Sequence, residues 1–204
     1  MVGVFVIAIL PPGNIVKLIE GVKTKLFRAF GCASVYALPP LITLFISEKR
    51  PAAPGSHEVH RQPGRIILDQ LEIRGTHIVL AVENRATCES IASQLSITAE
   101  PTPPPLPPTL RDAIYMGEAE GATDLELEEM MRQTGTAEAI AGVGWKRSEL
   151  VCIEFLASSD ERWWDGSSLT FCWRRQLRLP ARVHEQRDFD RGTSPDKARR
   201  PPIE

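Results

Sequence analysis

Two proline pairs punctuate the first fifty residues and set what can form between them. Pro11-Pro12 ends an apolar run, Val2–Leu10, and Pro39-Pro40 precedes Leu41-Ile-Thr-Leu-Phe-Ile-Ser47. Proline fixes φ and has no N–H to give, so each pair stops the element before it. Both flanking runs are rich in β-branched and apolar residues, which predicts buried strands. Between them Ile15, Leu18, Ile19, Val22, Leu26 and Phe30 recur at helical spacing, with Lys17, Lys23 and Lys25 off that stripe. Asn14 is the expected N-cap of this helix and Gly31 its expected stop. A short strand is expected over residues 34–38, ahead of the second proline pair.

A chain of 204 residues with 43% hydrophobic and 25% charged side chains can bury the core of one ordinary domain or of two small lobes. Its net charge of -2 excludes a molecule that binds nucleic acid through overall charge. Charge is uneven along the chain: residues 118–129 are acidic and residues 174–200 are rich in arginine. Cys32, Cys88, Cys152 and Cys172 are scattered with no Cys-x-x-Cys pair, and Cys88, Cys152 and Cys172 sit among apolar residues, which fits buried thiols in a reducing compartment, the cytoplasm. Val2–Leu10 is too short to span a bilayer and lacks a positive leader, so a first strand is expected and no membrane partner.

Residues 48–64 read as a loop, with Pro51, Pro54, Gly55, Pro63 and Gly64. The loop holds His57-Glu-Val-His60, one residue short of the spacing that sets two histidines a helical turn apart, so no metal and no cofactor are expected. Residues 65–74 and 76–83 read as strands joined at Gly75. Asn84 is the expected cap of a short helix over 86–95. The run from Pro101 to Pro108 (Pro-Thr-Pro-Pro-Pro-Leu-Pro-Pro) predicts an extended connector over about 100–109, and the same composition suits the groove of a protein partner. Thr123-x-x-Glu126 is a capping box ahead of Leu127, Met130 and Met131. Residues 149–157 read as a buried strand and 158–166 as a turn. In residues 168–179 strict alternation puts Leu169, Phe171, Trp173, Leu177 and Leu179 on one face. From Pro180 on, prolines and charges dominate, which predicts a disordered basic tail over 180–204.

Strand, Pro-Pro, helix, then Pro-Pro-Leu-Ile-Thr-Leu resembles the opening of the 2H phosphoesterase superfamily, which includes 2′-5′ RNA ligase-like and cyclic phosphodiesterase proteins. The resemblance runs over residues 1–179 in element order. It implies an α+β fold with two pseudo-symmetric lobes of antiparallel sheet and packed helices, and a phosphoesterase groove between them. In the family the stretch reads Pro-His-Ile-Thr-Leu. Thr43 fills the threonine position, which contacts phosphate, whereas the histidine position holds Leu41. The second motif is expected at Pro108-Thr109-Leu110-Arg111, with Thr109 at the histidine and Arg111 at the threonine.

The family mechanism needs two imidazoles, one to take a proton and one to give it, each worth about 10²–10⁴-fold. Three readings stay open. A domain without the catalytic pair would keep Thr43, Thr109 and Arg111 for an RNA end or nucleotide. An active phosphoesterase would use His77 or His60 as a substitute, although His77, opening Thr-His-Ile-Val-Leu, also reads as a structural strand histidine. A protein-interaction module would use the proline-rich segment.

Overall fold

The computed structural model describes residues 2–54, 65–95, 106–119, 121–158, 163 and 167–178. The expected tail, the His57–His60 loop and Pro101 to Pro105 lie outside the described residues.

The strands are β1 (Val2–Leu10), β2 (Ile42–Ser47), β3 (Ile66–Arg74), β4 (His77–Val82), β5 (Ala113–Glu118), β6 (Gly144–Trp145), β7 (Arg147–Ala157) and β8 (Ser168–Arg178). They form an eight-stranded sheet in the order β6-β3-β4-β5-β2-β1-β7-β8, with every pairing antiparallel. The fold is thus mixed α and β, as expected, but the strands run through one continuous order instead of two separate sheets. The join is narrow: β2 meets β5 at a single register pair, Ile42 with Ile114. On either side of that pair, irregular turns cover the diverging strands. A 3-10 turn, Ala33–Tyr36, packs along β5, and another, Pro108–Leu110, leads into Asp112, whose N–H donates to the Thr43 carbonyl at 2.8 Å.

Four helices, α1 (Gly13–Phe30), α2 (Arg85–Gln94), α3 (Asp124–Thr134) and α4 (Thr136–Ile140), contribute to one hydrophobic cluster. There Ile15, Ile19, Val22 and Leu26 of α1 pack against Ile7, Ile9, Ile42 and Ile114. Alternate strand residues enter a second cluster, consistent with the period-two pleat. This second cluster contains Val4, Val6 and Ala8 of β1, Leu41, Val79, Ala113, Tyr115 and Phe155, and its remaining members include Leu38, Leu106, Leu110 and Trp163 from connecting segments.

Local chemistry decides several departures from expectation. α1 begins two residues early: Pro12 is its N-cap, its carbonyl accepting from the Ile15 and Val16 N–H groups, so Asn14 sits inside the first turn. Gly31 ends α1 at φ 66° and donates back to Phe27, which an L side chain would strain. Residues 34–38 do not form a strand, because Val35 packs over Gly117, where an added Cβ would stand 2.8 Å from a Val35 methyl. Asn84 caps α2 in position only; its amide oxygen accepts from Ile67 N–H of β3. The Thr123–Glu126 capping box forms at α3 as read, with both reciprocal bonds present. In β8 the alternation fails at a bulge, Cys152 facing Trp173 while Ile153 faces Phe171. Cys172 is the extra residue, so Leu169 packs on the second cluster and Trp173 on the first.

Candidate functional site

Thr43 is the second residue of β2, opposite Ala8, with only 2% of its surface exposed. Leu41, at the strand's entry, is 1% exposed and belongs to the second cluster. The side chains around it are apolar: Leu38, Leu110, Ala113 and Tyr115 share that cluster. Trp163 closes it, its ring meeting Tyr115 at 5.0 Å and Phe155 at 5.7 Å between centroids. A reactive phosphate needs a polar, open groove, and among the described residues this face of the sheet is a buried apolar core. Burying each of Leu38, Leu106, Leu110 and Trp163 contributes about 2 kcal/mol, so exposing all four would consume much of a domain's ~5–15 kcal/mol of stability.

The structure does join two of the four candidate residues. Thr109 Oγ1 lies 3.1 Å from His77 Nδ1, and His77 Nε2 lies 3.3 Å from Glu118 Oε1. Tyr115 donates its hydroxyl to the same Glu118 oxygen at 3.0 Å. Register explains the meeting, since His77 and Glu118 are directly opposed across β4 and β5, with Tyr115 opposite Val79 on the same face. Arg111 contributes its backbone: its carbonyl and that of Thr109 accept from Arg74 Nη1 at 3.0 and 3.3 Å. Its guanidinium stands 6.0 Å from the Phe45 ring, a cation–π placement. His60 lies outside the described residues.

The resulting chain, Thr109–His77–Glu118–Tyr115, has the components of a hydroxyl–imidazole–carboxylate relay, but its electrostatics are those of a structural network. Burial lowers the His77 pKa, opposed by its bond to the Arg74 backbone, so the ring is neutral near pH 7. A neutral imidazole has one donor and one acceptor. Nε2 faces Glu118 and Nδ1 faces Thr109, which uses both nitrogens within the protein. Burial raises the Tyr115 pKa far above its ordinary range, so the phenol stays a donor. The network continues through Ser34, whose Oγ accepts from Glu118 N–H at 2.9 Å and lies 2.8 Å from Cys32 Sγ. Beside it Lys23, which lies off the apolar stripe of the helix in the sequence, is 2% exposed. Its ammonium donates to the carbonyls of Val35 at 2.9 Å and Leu38 at 2.6 Å. Pro39 follows Leu38 without an N–H, so this segment cannot satisfy those carbonyls as a continued helix would. Burial pulls Lys23 down to about 7, partly opposed by Glu20.

Sequence reasoning missed Lys23, Ser34, Tyr115 and Glu118. Only Tyr115-x-x-Glu118 within a strand gave a signal, and it becomes legible once a bulge is allowed between them. Among the described residues no group of His, Cys, Asp and Glu is arranged to hold a metal, and no helix is long and apolar enough to cross a membrane. The four cysteines are free thiols. Burial first, and neighbouring acidic groups second, raise Cys88 to about 12. Burial with the adjacent Cys172 does the same for Cys152, also to about 12. Thiolates are the reactive form, so neither should be carbamidomethylated by iodoacetamide at pH 8 in the native protein, and both should label in urea. Native labelling of Cys88 or Cys152, read by peptide mass mapping, would contradict the packing described.

Comparison of the chain with family models gives no match, and comparison with curated proteins gives none either.

Proposed function

We propose that this chain is a catalytically silent domain of the 2H phosphoesterase type, retained as a scaffold and not as a phosphodiesterase or 2′-5′ RNA ligase. Internal duplication supports the family assignment. β1, α1, a 3-10 turn and β2 are followed later by β4, α2, a 3-10 turn and β5 in the same order. The two strand pairs carry the same irregularity. In the first, Ile7 faces Phe45 and Ala8 faces Thr43, leaving Leu44 extra. In the second, Ile78 faces Gly117 and Val79 faces Tyr115, leaving Met116 extra. A matching bulge is a designed feature of a repeat and not an accident of composition. The sheet order also reads alike outward from the Ile42–Ile114 pair, giving two half-sheets as the lobes.

That correspondence revises the second motif. Ala113 answers to Leu41 and Tyr115 to Thr43, four residues after the sequence expectation at Thr109 and Arg111. The observation that carries the functional reading is that both positions at which the family has histidine hold buried apolar residues, Leu41 and Ala113, inside one cluster. No proton can be moved there, and the buried Thr43 is not placed to meet a phosphate, an RNA end or a nucleotide. His77 does not substitute, because both its nitrogens are committed to Thr109 and Glu118. The proline-rich segment is partly structural too: Leu106 is 2% exposed in the second cluster. Four free thiols suit a reducing, cytoplasmic setting.

The test is turnover of a 2′,3′-cyclic nucleotide by the native protein and by His77→Ala. Neither should exceed the uncatalysed rate. Hydrolysis by the native chain that His77→Ala abolishes would replace this reading with an active phosphoesterase built on His77.

A further inference from the structure

We propose that the free edge of β3 is a docking strand for an extended, basic peptide segment of a partner protein. β6 pairs with β3 only at Ile66 and Ile67, and Leu68 closes that seam by bonding Gly142 and Val143. Beyond Leu68, among the described residues, the strand neighbour of residues 69–74 is β4 alone, on the opposite side. Backbone donors and acceptors on such an edge are a template for another strand.

α3 does not lie flush against this edge. Between them runs a groove of about 660 Å³, with Leu71, Ile73, Leu127 and Met131 as apolar lining. A strand entering it would lay alternate side chains against that lining and send the others outward. Charge selects the occupant. Asp69, Asp124, Glu128 and Glu138 line the groove, and all four are exposed. Arg132, the basic residue of the lining, is bound by two of its nitrogens to Glu129, at 2.9 and 2.6 Å. Glu72 is likewise taken, by Arg74 and Arg85. The groove therefore attracts lysine and arginine and repels phosphate, which favours a peptide over a nucleic acid. This inference stands apart from the 2H reading, since the groove exists whether or not the chain descends from a phosphoesterase.

The probe is a fluorescein-labelled peptide alternating lysine and valine, with an alternating glutamate–valine peptide as control. Fluorescence anisotropy should show saturable binding of the basic peptide alone. Asp124→Lys with Glu128→Lys, both on the exposed side of α3, should weaken it at least tenfold. Hydrogen exchange on the full chain should show new protection of backbone amides within residues 69–74 when the peptide is added. Failure to bind, equal binding of the acidic peptide, unchanged affinity in the charge-reversed variant, or protection elsewhere would each overturn the proposal. Displacement of the probe by a peptide of residues 180–204 at lower concentration would also overturn it, reassigning the groove to this chain's own tail.

Discussion

Replacing Leu41 by histidine, the residue that the 2H family carries there, should lower stability by about 3–5 kcal/mol and restore no activity. The estimate has two parts. Leu41 is 1% exposed and packed in the second cluster, so losing its apolar burial costs about 2 kcal/mol. Placing an imidazole among Leu38, Leu110 and Tyr115 adds about 1–3 kcal/mol for a polar group without a water or partner. For a chain of this length the loss appears as a fall of roughly 10 °C in Tm. In an open phosphoesterase groove the same side chain would face solvent and the substitution would change stability by no more than about 0.5 kcal/mol. Urea unfolding of the single variant therefore separates a sealed face from an open one without any substrate. Ala113→His should be at least as damaging, since overpacking adds strain to the same penalty.

The second large effect belongs to Lys23. Its folded pKa of about 7 lies below the ordinary lysine value of 10.5 that the unfolded chain approaches. Between those two values the unfolded chain binds a proton that the folded chain does not, so stability rises with pH. The contribution is complete above 10.5, is lost as pH falls toward 7, and changes no further below that. Its slope reaches about 1.4 kcal/mol per pH unit, and the whole window is worth on the order of 4–5 kcal/mol. A neutral amine still has two N–H donors, enough for the carbonyls of Val35 and Leu38. Lys23→Met removes both the titration and those bonds. Native stability minus variant stability should therefore climb from pH 7 to pH 10, with the native protein ahead at the alkaline end. Taking the difference cancels the thiols, which titrate in both proteins. Parallel pH profiles would mean that Lys23 is solvated in the folded state.

These two residues also show where the sequence was legible and where it was not. The stripe Ile15, Ile19, Val22, Leu26 reports a helix because its period depends on near neighbours alone, and the Thr123–Glu126 box reports a helix start for the same reason. Lys23 breaks the inference that a charged residue off the stripe faces water. Its partners are carbonyls at Val35 and Leu38, whose need for a donor arises from the proline that follows and from tertiary packing. Bulges are equally silent. Cys172 adds one residue to β8, which transfers Trp173 from one face of the sheet to the other and defeats a strict alternation. Leu44 and Met116 do the same in β2 and β5, and hide the correspondence of Thr43 with Tyr115. Antiparallel strands and packed helices could be read from patterning. Their joining into one order through Ile42 and Ile114 could not, because a single register pair leaves no local signature. Thr109 and His77 were both singled out by sequence, Thr109 for holding a substrate and His77 as a substitute catalytic base or a structural strand histidine; the structure unites them in a buried network with Glu118.

The central claim is that the face where the family holds its substrate is closed in this chain. A titration of the native protein with 2′,3′-cyclic AMP and with 3′-AMP, followed by the methyl resonances of Leu41, Leu38, Leu110 and Ala113 and the ring of Tyr115, reads that face directly. These resonances should stay fixed up to millimolar nucleotide. Saturable shifts confined to Leu41, Ala113 and Tyr115 would show a ligand entering between the two half-sheets, and would contradict the account.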